Sequence, residues 1–597
     1  PPRFTQPAAR RPHAIRSHCS SRLQPPSKMA VTARLAASTR LIRALSARAG
    51  PLRARASVGS AVRGEHIAAP TISVELDQHP YVSPSLTQGS GRTFFLETYG
   101  CQMNVSDSEV VRAVLAESGF SPSVSLDAAD VVLINTCAIR EGAEQRVWNR
   151  LREVNALTGR KLHMKSKRRS SSDAKRAAPM VGLLGCMAER LKGRLLEEER
   201  LVDIVCGPDA YRQLPRLLSQ ASSDQAAIDV RLSLEETYAD VSPVRVADGG
   251  VSAFVSIMRG CNNMCSYCIV PFTRGRERSR PSASIAAEVS ELADRGYKEV
   301  TLLGQNVNSY AVDADCDGES TLVPPLRDGF RSMVPPAKGR LRFADLIHSL
   351  ALEHPEMRFR FTSPHPKDFP DKLLRVVKET PNICEALHIP AQSGSSAVLE
   401  SMRRGYSREA YLELIAQVRQ VLPKASISSD FISGFCGETE KDHQETLSLL
   451  RTVRFEKAYM FAYSLREKTH AHRQLADDVP EAVKQRRLRE VIAAFNEGAR
   501  ASNDAEVGSY HLLLVDGESK KSAAELVGRS DSNKRVVFGN QRVRSSLTNP
   551  DASEVALHAG DFVAVHVTES LSANTLRAIP LARTSIAQFA KWLKHGG

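Results

Sequence analysis

Three cysteines within eight residues constrain this chain more than any other feature of its sequence. Cys261, Cys265 and Cys268 form a CxxxCxxC pattern, with Tyr267 directly before the last cysteine. Three thiolates this close in sequence can hold one metal centre. Because a four-iron cluster is normally held by four cysteines, one iron would remain open to another ligand. Structural zinc is the alternative, but it needs a fourth protein ligand, and no Cys or His follows within the next 40 residues.

A second set of cysteines is spread along the amino-terminal part of the chain. Cys101, Cys137 and Cys186 each come just after an apolar run that we predict to be a β-strand. Because the carboxyl ends of parallel strands share one edge of a sheet, three thiols at this position can converge. Buried, unrelated cysteines are the alternative reading of spacings this wide.

The net charge of +14 comes from one end of the chain. Residues 1–64 contain 13 Lys and Arg but no Asp or Glu, whereas the remainder is close to neutral. An Arg- and Ser-rich leader without acids is typical of a transit peptide, so we predict import into the mitochondrial matrix. The plausible leader begins at Met29, and we interpret residues 1–28 as untranslated sequence. No stretch approaches the roughly 20 apolar residues of a membrane helix.

The pattern of apolar runs predicts an α/β protein with three folded domains. Strands and helices alternate twice, first as an open parallel sheet and then as six strands of a partial (β/α) barrel. Short strands separated by Gly, Asp and Asn then predict a small OB-like β-barrel. The predicted order is a leader over 1–64, a linker over 65–91, the open sheet over 92–215, a linker over 216–250, the partial barrel over 251–500 and the small barrel over 505–584.

The CxxxCxxC loop, placed after the first barrel strand, resembles that of the radical S-adenosylmethionine (SAM) superfamily. The resemblance implies that Cys261, Cys265 and Cys268 hold a [4Fe–4S] cluster whose open iron binds the amino and carboxylate groups of SAM. Later segments match the SAM-binding elements of that superfamily by position, although glycine-rich turns occur in any barrel of this type. The residues implied as SAM contacts are Tyr267, Gly304, Gln305, Asn306, Ser393, Ser395 and Asp430.

The runs over residues 99–104, 135–140 and 185–190 resemble the amino-terminal domain of the methylthiotransferase family. Further likeness lies in residues 259–268, 274–281, 362–366 and 402–406, and the terminal barrel resembles the TRAM RNA-binding module. The resemblance implies that Cys101, Cys137 and Cys186 hold a second [4Fe–4S] cluster. Residues 304–309 are similar to the corresponding run in one branch of this family. That branch has animal mitochondrial and bacterial members and acts on isopentenyladenosine in tRNA.

Membership of that branch implies 2-methylthiolation of N6-isopentenyladenosine at position 37, in the tRNA anticodon loop. It also implies a ferredoxin- or flavodoxin-like electron donor and a source of sulfur. Two alternatives remain open. One is methylthiolation of threonylcarbamoyl-adenosine or of a ribosomal-protein aspartate, and the other is a non-enzymatic kinase-regulating scaffold, in which six such cysteines would be idle.

Four basic residues are candidates for contact with RNA. Two follow the cluster loop and two lie in the predicted terminal barrel, and basic side chains of this kind commonly bind phosphates. Pairing with loop carboxylates or backbone is an equally good reading of the first two, and exposed surface charge is an equally good reading of the two in the barrel. The four candidates are Arg274, Arg276, Arg529 and Lys534.

Overall fold

The computed structural model describes residues 91–138, 141–158, 178–192, 194–197, 201–222, 226–245, 250–313, 326–332 and 341–595. The predicted leader and nearly all of the predicted linker over 65–91 lie outside these residues. No helix in the described part of the chain combines the length and apolar character needed to cross a membrane.

The amino-terminal part forms a six-stranded parallel sheet in the order β2-β1-β3-β4-β5-β6. Its central strand β3 is buried along its whole length, as expected for an apolar run covered on both faces. Its elements are β1 (Thr93–Thr98), α1 (Gln102–Glu117), β2 (Ser121–Pro122), β3 (Val131–Thr136), α2 (Glu141–Leu157), β4 (Met180–Gly185), α3 (Cys186–Leu191), α4 (Arg194–Glu197), β5 (Ile204–Cys206), α5 (Leu214–Ala221) and β6 (Ala227–Asp229).

The predicted linker over 216–250 is wrong in its first half. Most of α5 and all of β6 lie there, and β6 completes the sheet. Tyr238 and Val241 are buried in the core beneath α1 and α5. A three-residue strand and two isolated apolar residues are too sparse to produce a recognisable period in the sequence.

The central part contains an arc of six parallel strands, as predicted. Three strands pair as β7-β10-β13 and three as β14-β15-β16, and Phe359 pairs with Ile383 where the two sets meet. Among the described strands β16 does not pair with β7, so the barrel is open. The elements are β7 (Ser252–Ser256), β8 (Met258–Arg259), α6 (Val270–Thr273), β9 (Arg278–Ser279), α7 (Ser282–Asp294), β10 (Glu299–Leu303), β11 (Ala311–Val312), β12 (Leu341–Arg342), α8 (Phe343–Glu353), β13 (Arg358–Phe361), α9 (Asp371–Glu379), β14 (Ala386–His388), α10 (Ser396–Ser401), α11 (Arg408–Val421), β15 (Ser426–Ser433), α12 (Glu440–Val453), β16 (Lys457–Ala462), α13 (His470–Gln474) and α14 (Glu481–Asp504).

The terminal part is a small closed β-barrel. Five strands pair in the ring β17-β18-β19-β23-β22, which closes where β22 pairs with β17. This closure leaves no free edge among the five strands and confirms the predicted OB-like architecture. Its elements are β17 (Tyr510–Ser519), β18 (Ser522–Arg529), β19 (Arg535–Gly539), β20 (Val543–Arg544), β21 (Glu554–Val555), β22 (Phe562–Ser572), β23 (Thr575–Thr584) and α15 (Ile586–Lys594).

Candidate functional site: two cysteine triads joined by a buried ion network

The structure places the three amino-terminal cysteines side by side on one edge of the first sheet. Cys137 and Cys186 directly follow the neighbouring strands β3 and β4, and Cys101 follows β1 after a turn of two residues. Because β1, β3 and β4 are adjacent and parallel, their carboxyl ends bring the three residues together. We refer to Cys101, Cys137 and Cys186 as the first triad.

Two glycines make this close approach possible. Gly100 has φ +142°, and a side-chain carbon there would lie 2.7 Å from Cβ of Cys137. Gly185 has φ +86°, and a side-chain carbon there would lie 2.6 Å from the carbonyl oxygen of Thr136. Only glycine adopts such backbone angles readily and leaves room for neighbouring backbone.

The thiols of the first triad differ in their acidity. A hydrogen bond from the Cys137 thiol, assisted by the charge of Arg274, outweighs burial and lowers the pKa of Cys101 to about 6. Burial raises the pKa of Cys186, whose Sγ accepts a hydrogen bond of 3.2 Å from Nε of Arg274. Thiolate character, which metal binding requires, is therefore favoured at Cys101 and is supported by a cation at Cys186.

Cys261, Cys265 and Cys268, the second triad, lie in a loop whose base is formed by the antiparallel pair of β8 and β9. The backbone at Gly260 (φ +74°) lies close to the backbone of Arg276, and a side-chain carbon on Gly260 would overlap the carbonyl oxygen of Arg276. The amide of Cys261 donates to the Gly275 carbonyl at 3.2 Å. This loop follows β7, at the carboxyl end of the strand arc, where barrel enzymes carry their active sites.

The thiols of the second triad lie near enough to one another for their negative charges to repel. Burial raises the pKa of Cys261, and the charges of Cys268 and Cys265 raise it further. Burial and the charge of Cys265 raise the pKa of Cys268 to about 12. A bound metal group with positive charge would reverse this effect, because a coordinating thiol loses its proton outright.

Structural zinc takes four protein ligands. Among the described residues, the close group of potential metal ligands is Glu440, His443 and Glu490, and it includes no cysteine of either triad. Three thiolates would leave one iron of a four-iron cluster open to another ligand.

A buried arginine contacts each triad. Arg274 contacts the first, as described above, and Arg404 donates from Nη1 to Sγ of Cys265 at 3.3 Å in the second. Nη2 of Arg404 also donates to the carbonyl of Pro390 at 3.1 Å, and its Nε donates to the Tyr406 hydroxyl at 3.1 Å. These hydrogen bonds place a fixed positive charge beside sulfur atoms that become negative on metal binding.

The two triads are connected through the loop that carries the second. Ile269, directly after Cys268, packs in one small core with Cys186 and Ala138, and Phe272 of α6 packs against it. Helix α6 contacts α3, the helix that begins at Cys186. The second triad is thus attached to the first through a single apolar contact region.

A buried ion network reinforces this connection. Asp107 on α1 is fully buried and accepts hydrogen bonds from Arg259 at 2.8 Å and from Arg274 at 2.7 Å. Arg259 precedes the second triad in sequence and Arg274 follows it. One carboxylate therefore holds both ends of the second loop against the helix that follows Cys101.

The residues at the end of β10 that are implied as SAM contacts differ from one another: some are used within the protein, and another has side-chain groups without a partner in the described part of the chain. Asn306 is buried and its amide is fully used, because it accepts from the amide of His365 at 2.9 Å and donates to Asp368 at 2.8 Å. Gly304 packs against Met258, which leaves no space for a side chain. The side-chain amides of Gln305 and Asn308 are buried without hydrogen-bond partners among the described residues, so these two fit a polar ligand.

Other implied SAM contacts are used in packing. Ser395 donates to Asp442 at 2.5 Å and Ser393 lies 3.4 Å from the Thr446 hydroxyl, so both serines connect the β14–α10 turn to α12. Asp430 lies on the partly exposed face of β15, with His388 at 3.5 Å.

Tyr267 packs edge-on against Phe435, with ring centroids 6.5 Å apart. This contact attaches the second triad's loop to the segment after β15. The tyrosine therefore helps to hold the loop in place.

The structure corrects three of the four predicted RNA contacts. Arg274 is buried at the first triad. Arg529 pairs with Glu299 of the strand arc and with Asp516 of its own barrel, and Lys534 is buried against Glu506. Because these three side chains are paired with carboxylates of the protein itself, their charges are not available to bind RNA phosphates. Arg276 is exposed beside the second triad and stays a predicted RNA contact.

Several residues of this site were not anticipated as functional from the sequence. Asp107, Arg404, Glu277 and Asn308 carry no spacing pattern of their own. Burial is the main cause that raises the pKa of Glu277 to about 7, and its amide donates to Asn262 at 3.2 Å. A carboxyl group with such a shift is typical of functional sites.

The fold and the two triads define a radical SAM protein, and comparison with known proteins agrees. Residues 255–450 match the radical SAM superfamily and residues 93–207 match the uncharacterised protein family UPF0004. The mouse protein named mitochondrial tRNA methylthiotransferase CDK5RAP1 is 52% identical over 85% of this chain and 84% of its own length. A rice CDK5RAP1-like protein is 50% identical over 91% of this chain and 88% of its own.

A bacterial relative extends the likeness beyond eukaryotes. The tRNA-2-methylthio-N(6)-dimethylallyladenosine synthase of Amoebophilus asiaticus is 49% identical over 78% of this chain and 90% of its own length. At this identity and coverage the relationship is not in doubt. The chain belongs to the tRNA methylthiotransferase family of radical SAM proteins.

Proposed function

We propose that this protein attaches a methylthio group to carbon 2 of N6-isopentenyladenosine at position 37 of mitochondrial tRNAs. The names of its mouse and bacterial relatives support the reaction, the tRNA substrate and the mitochondrial location. The observation that carries the proposal is the joining of two cysteine triads by one contact region and one buried carboxylate. Replacing hydrogen by sulfur at an unreactive carbon needs both a radical and a sulfur donor close to one another.

The two triads have separate roles in this proposal. Cys261, Cys265 and Cys268 would hold the [4Fe–4S] cluster that binds SAM, and the first triad would hold a second [4Fe–4S] cluster. With SAM, these groups supply a carbon radical that removes hydrogen and a sulfur that is methylated and transferred.

The chain's own residues prepare the site for these groups. The thiols and Arg404 fix position and charge around the second triad, and the unpaired amides of Gln305 and Asn308 offer hydrogen bonds to a polar ligand. Cys137, Cys186, Cys261 and Cys265 are buried, Cys268 is half-buried and Cys101 is exposed, so the first triad is open to solvent at Cys101. Electrons would come from a ferredoxin- or flavodoxin-like donor and sulfur from a separate source.

The Cys101→Ala variant tests the assignment. The variant should still cleave SAM at the second triad, but it should bind about four irons instead of about eight. It should form no methylthio product on tRNA that carries isopentenyladenosine. Iron assay of anaerobically purified protein, quantification of 5′-deoxyadenosine and mass spectrometry of tRNA nucleosides measure the three quantities.

Each alternative gives a different outcome in this experiment. Product formation by Cys101→Ala would refute the role of the first triad. Product only on threonylcarbamoyl-adenosine or on a ribosomal-protein aspartate would change the substrate. Unmodified protein that binds no iron would favour the non-enzymatic scaffold.

A further inference from the structure

One nitrogen of the buried Arg274 has no protein partner. Its Nε donates to Sγ of Cys186 and its Nη2 donates to Asp107. Nη1 is buried and has no hydrogen-bond partner among the described residues. Because a buried donor without an acceptor is destabilising, more so when the group is charged, an unpaired guanidinium nitrogen indicates that an acceptor is missing.

The position of the guanidinium indicates where that acceptor would lie. The group is in contact with Cys186, and its charge also acts on Cys101, so it lies beside the first triad. Asp107 accepts from Nη2, on the same edge of the guanidinium as Nε, and so fixes the plane of the group. The side chain is only 4% exposed, and water would therefore have little access to Nη1.

We propose that Arg274 is a positioning residue for the transferred sulfur, and that its Nη1 donates a hydrogen bond to a sulfur anion held at the first triad. The chemical class of this ligand is hydrosulfide or a small alkanethiolate such as methanethiolate. Arginine suits the role because it stays charged and presents several donors in one plane. The inference rests on the proposed function, since it assumes that the first triad carries the cluster that holds the sulfur.

The test isolates the first triad within the full-length chain. Cys261, Cys265 and Cys268 are replaced by alanine, and Arg274→Lys and Arg274→Gln are made in that background. Arg280→Lys is the matched control, because Arg280 lies in the same segment, is similarly buried and pairs with Glu288 instead of a cysteine. The probe is ¹³C-labelled methanethiolate, and its hyperfine coupling in the electron paramagnetic resonance spectrum of the reduced protein reports binding.

We expect both Arg274 variants to retain about four irons and to bind methanethiolate at least about tenfold more weakly, which corresponds to ~1.4 kcal/mol. The control should bind as the background does. Equal affinity in the Arg274 variants would overturn the inference, and so would the absence of ¹³C coupling in the background protein. Loss of iron from both Arg274 variants would also overturn it, because the arginine would then support the thiols and not the sulfur anion.

Failure of the proposed function would look different. It would appear as the absence of methylthio product with the unmodified enzyme, whatever the binding data show. An active enzyme whose Arg274 variants bind methanethiolate normally would refute this inference alone.

Discussion

At the scale of single residues, the site combines side chains that the sequence identifies with others that it does not. The six cysteines were recognisable because CxxxCxxC is compact and because Cys101, Cys137 and Cys186 share one position relative to their strands. The arginines were not, because the partners of Arg274 lie 88 and 167 residues away along the chain. The sequence alone does not distinguish a basic residue that binds RNA from one that pairs with a buried carboxylate.

Glu277 gives a prediction of pH dependence. Because burial is the main cause that raises its pKa from 4.5 to about 7, the folded protein favours the protonated carboxyl. Its ionisation therefore costs stability as the pH rises from about 4.5 to about 7, and the cost is constant at higher pH. We expect Glu277→Gln to have a higher melting temperature than the unmodified protein at pH 8, with a smaller difference at pH 5.

Differential scanning calorimetry of metal-free protein at the two pH values measures this difference. An equal difference at both pH values would show that Glu277 does not titrate in the expected range.

At the scale of elements, the strands that carry the first triad were predictable and their neighbours were not. Long apolar runs such as Val131–Thr136 identify a buried strand. Strands β5 and β6 have three residues each, and such short runs gain their structure from pairing in the sheet instead of from their own composition.

The turn after β4 gives a prediction at this scale. Gly185→Ala would force an unfavourable φ and bring a methyl group to 2.6 Å from the Thr136 carbonyl oxygen, so Cys186 would be displaced. We expect the variant to lose the iron of the first triad, about half of the total, while SAM cleavage at the second triad persists. Iron assay and 5′-deoxyadenosine quantification check the outcome.

Gly142→Ala is the matched control, because Gly142 lies in α2 with no atom near its missing side chain. This substitution should leave the iron content unchanged. Full iron content in Gly185→Ala would mean that the turn tolerates a side chain and that the glycine is not required.

At the scale of the whole molecule, the terminal barrel is held to the strand arc by buried ions. Arg360 donates to Glu299 at 2.8 Å and to the carbonyls of Asp531 and Ser530, each at 2.7 Å. Arg529 of the terminal barrel pairs with the same glutamate. Burial of Glu299 is outweighed by the charges of Arg360 and Arg529, which lower its pKa to about 2.

Removing one member of this network should loosen the terminal barrel. Arg360→Met leaves Glu299 with one cation fewer in a buried position, which costs about 3–5 kcal/mol. We expect faster cleavage by trypsin after Arg500, an exposed residue in the last turns of α14, and a lower melting temperature. The melting temperature of the unmodified protein should also fall in acid, because the stabilisation by Glu299 is lost as the pH falls from about 4.5 towards 2.

Arg577→Met, which breaks an exposed pair with Glu525 on the same barrel, is the control, with an expected change within about 0.5 kcal/mol. Equal trypsin resistance in the Arg360 and Arg577 variants would show that the ion network does not hold the barrel.

The place where the terminal barrel attaches has a consequence for the substrate. Its anchors Ser252, Glu299 and Arg358 stand at the amino ends of β7, β10 and β13, whereas both cysteine triads lie at carboxyl ends of strands. A five-residue strand separates these ends by about 17 Å. A free nucleoside is too small to contact the protein at both the amino ends and the carboxyl ends of these strands. A folded stem and loop that touched the protein at both ends would gain affinity from the second contact without altering the chemistry.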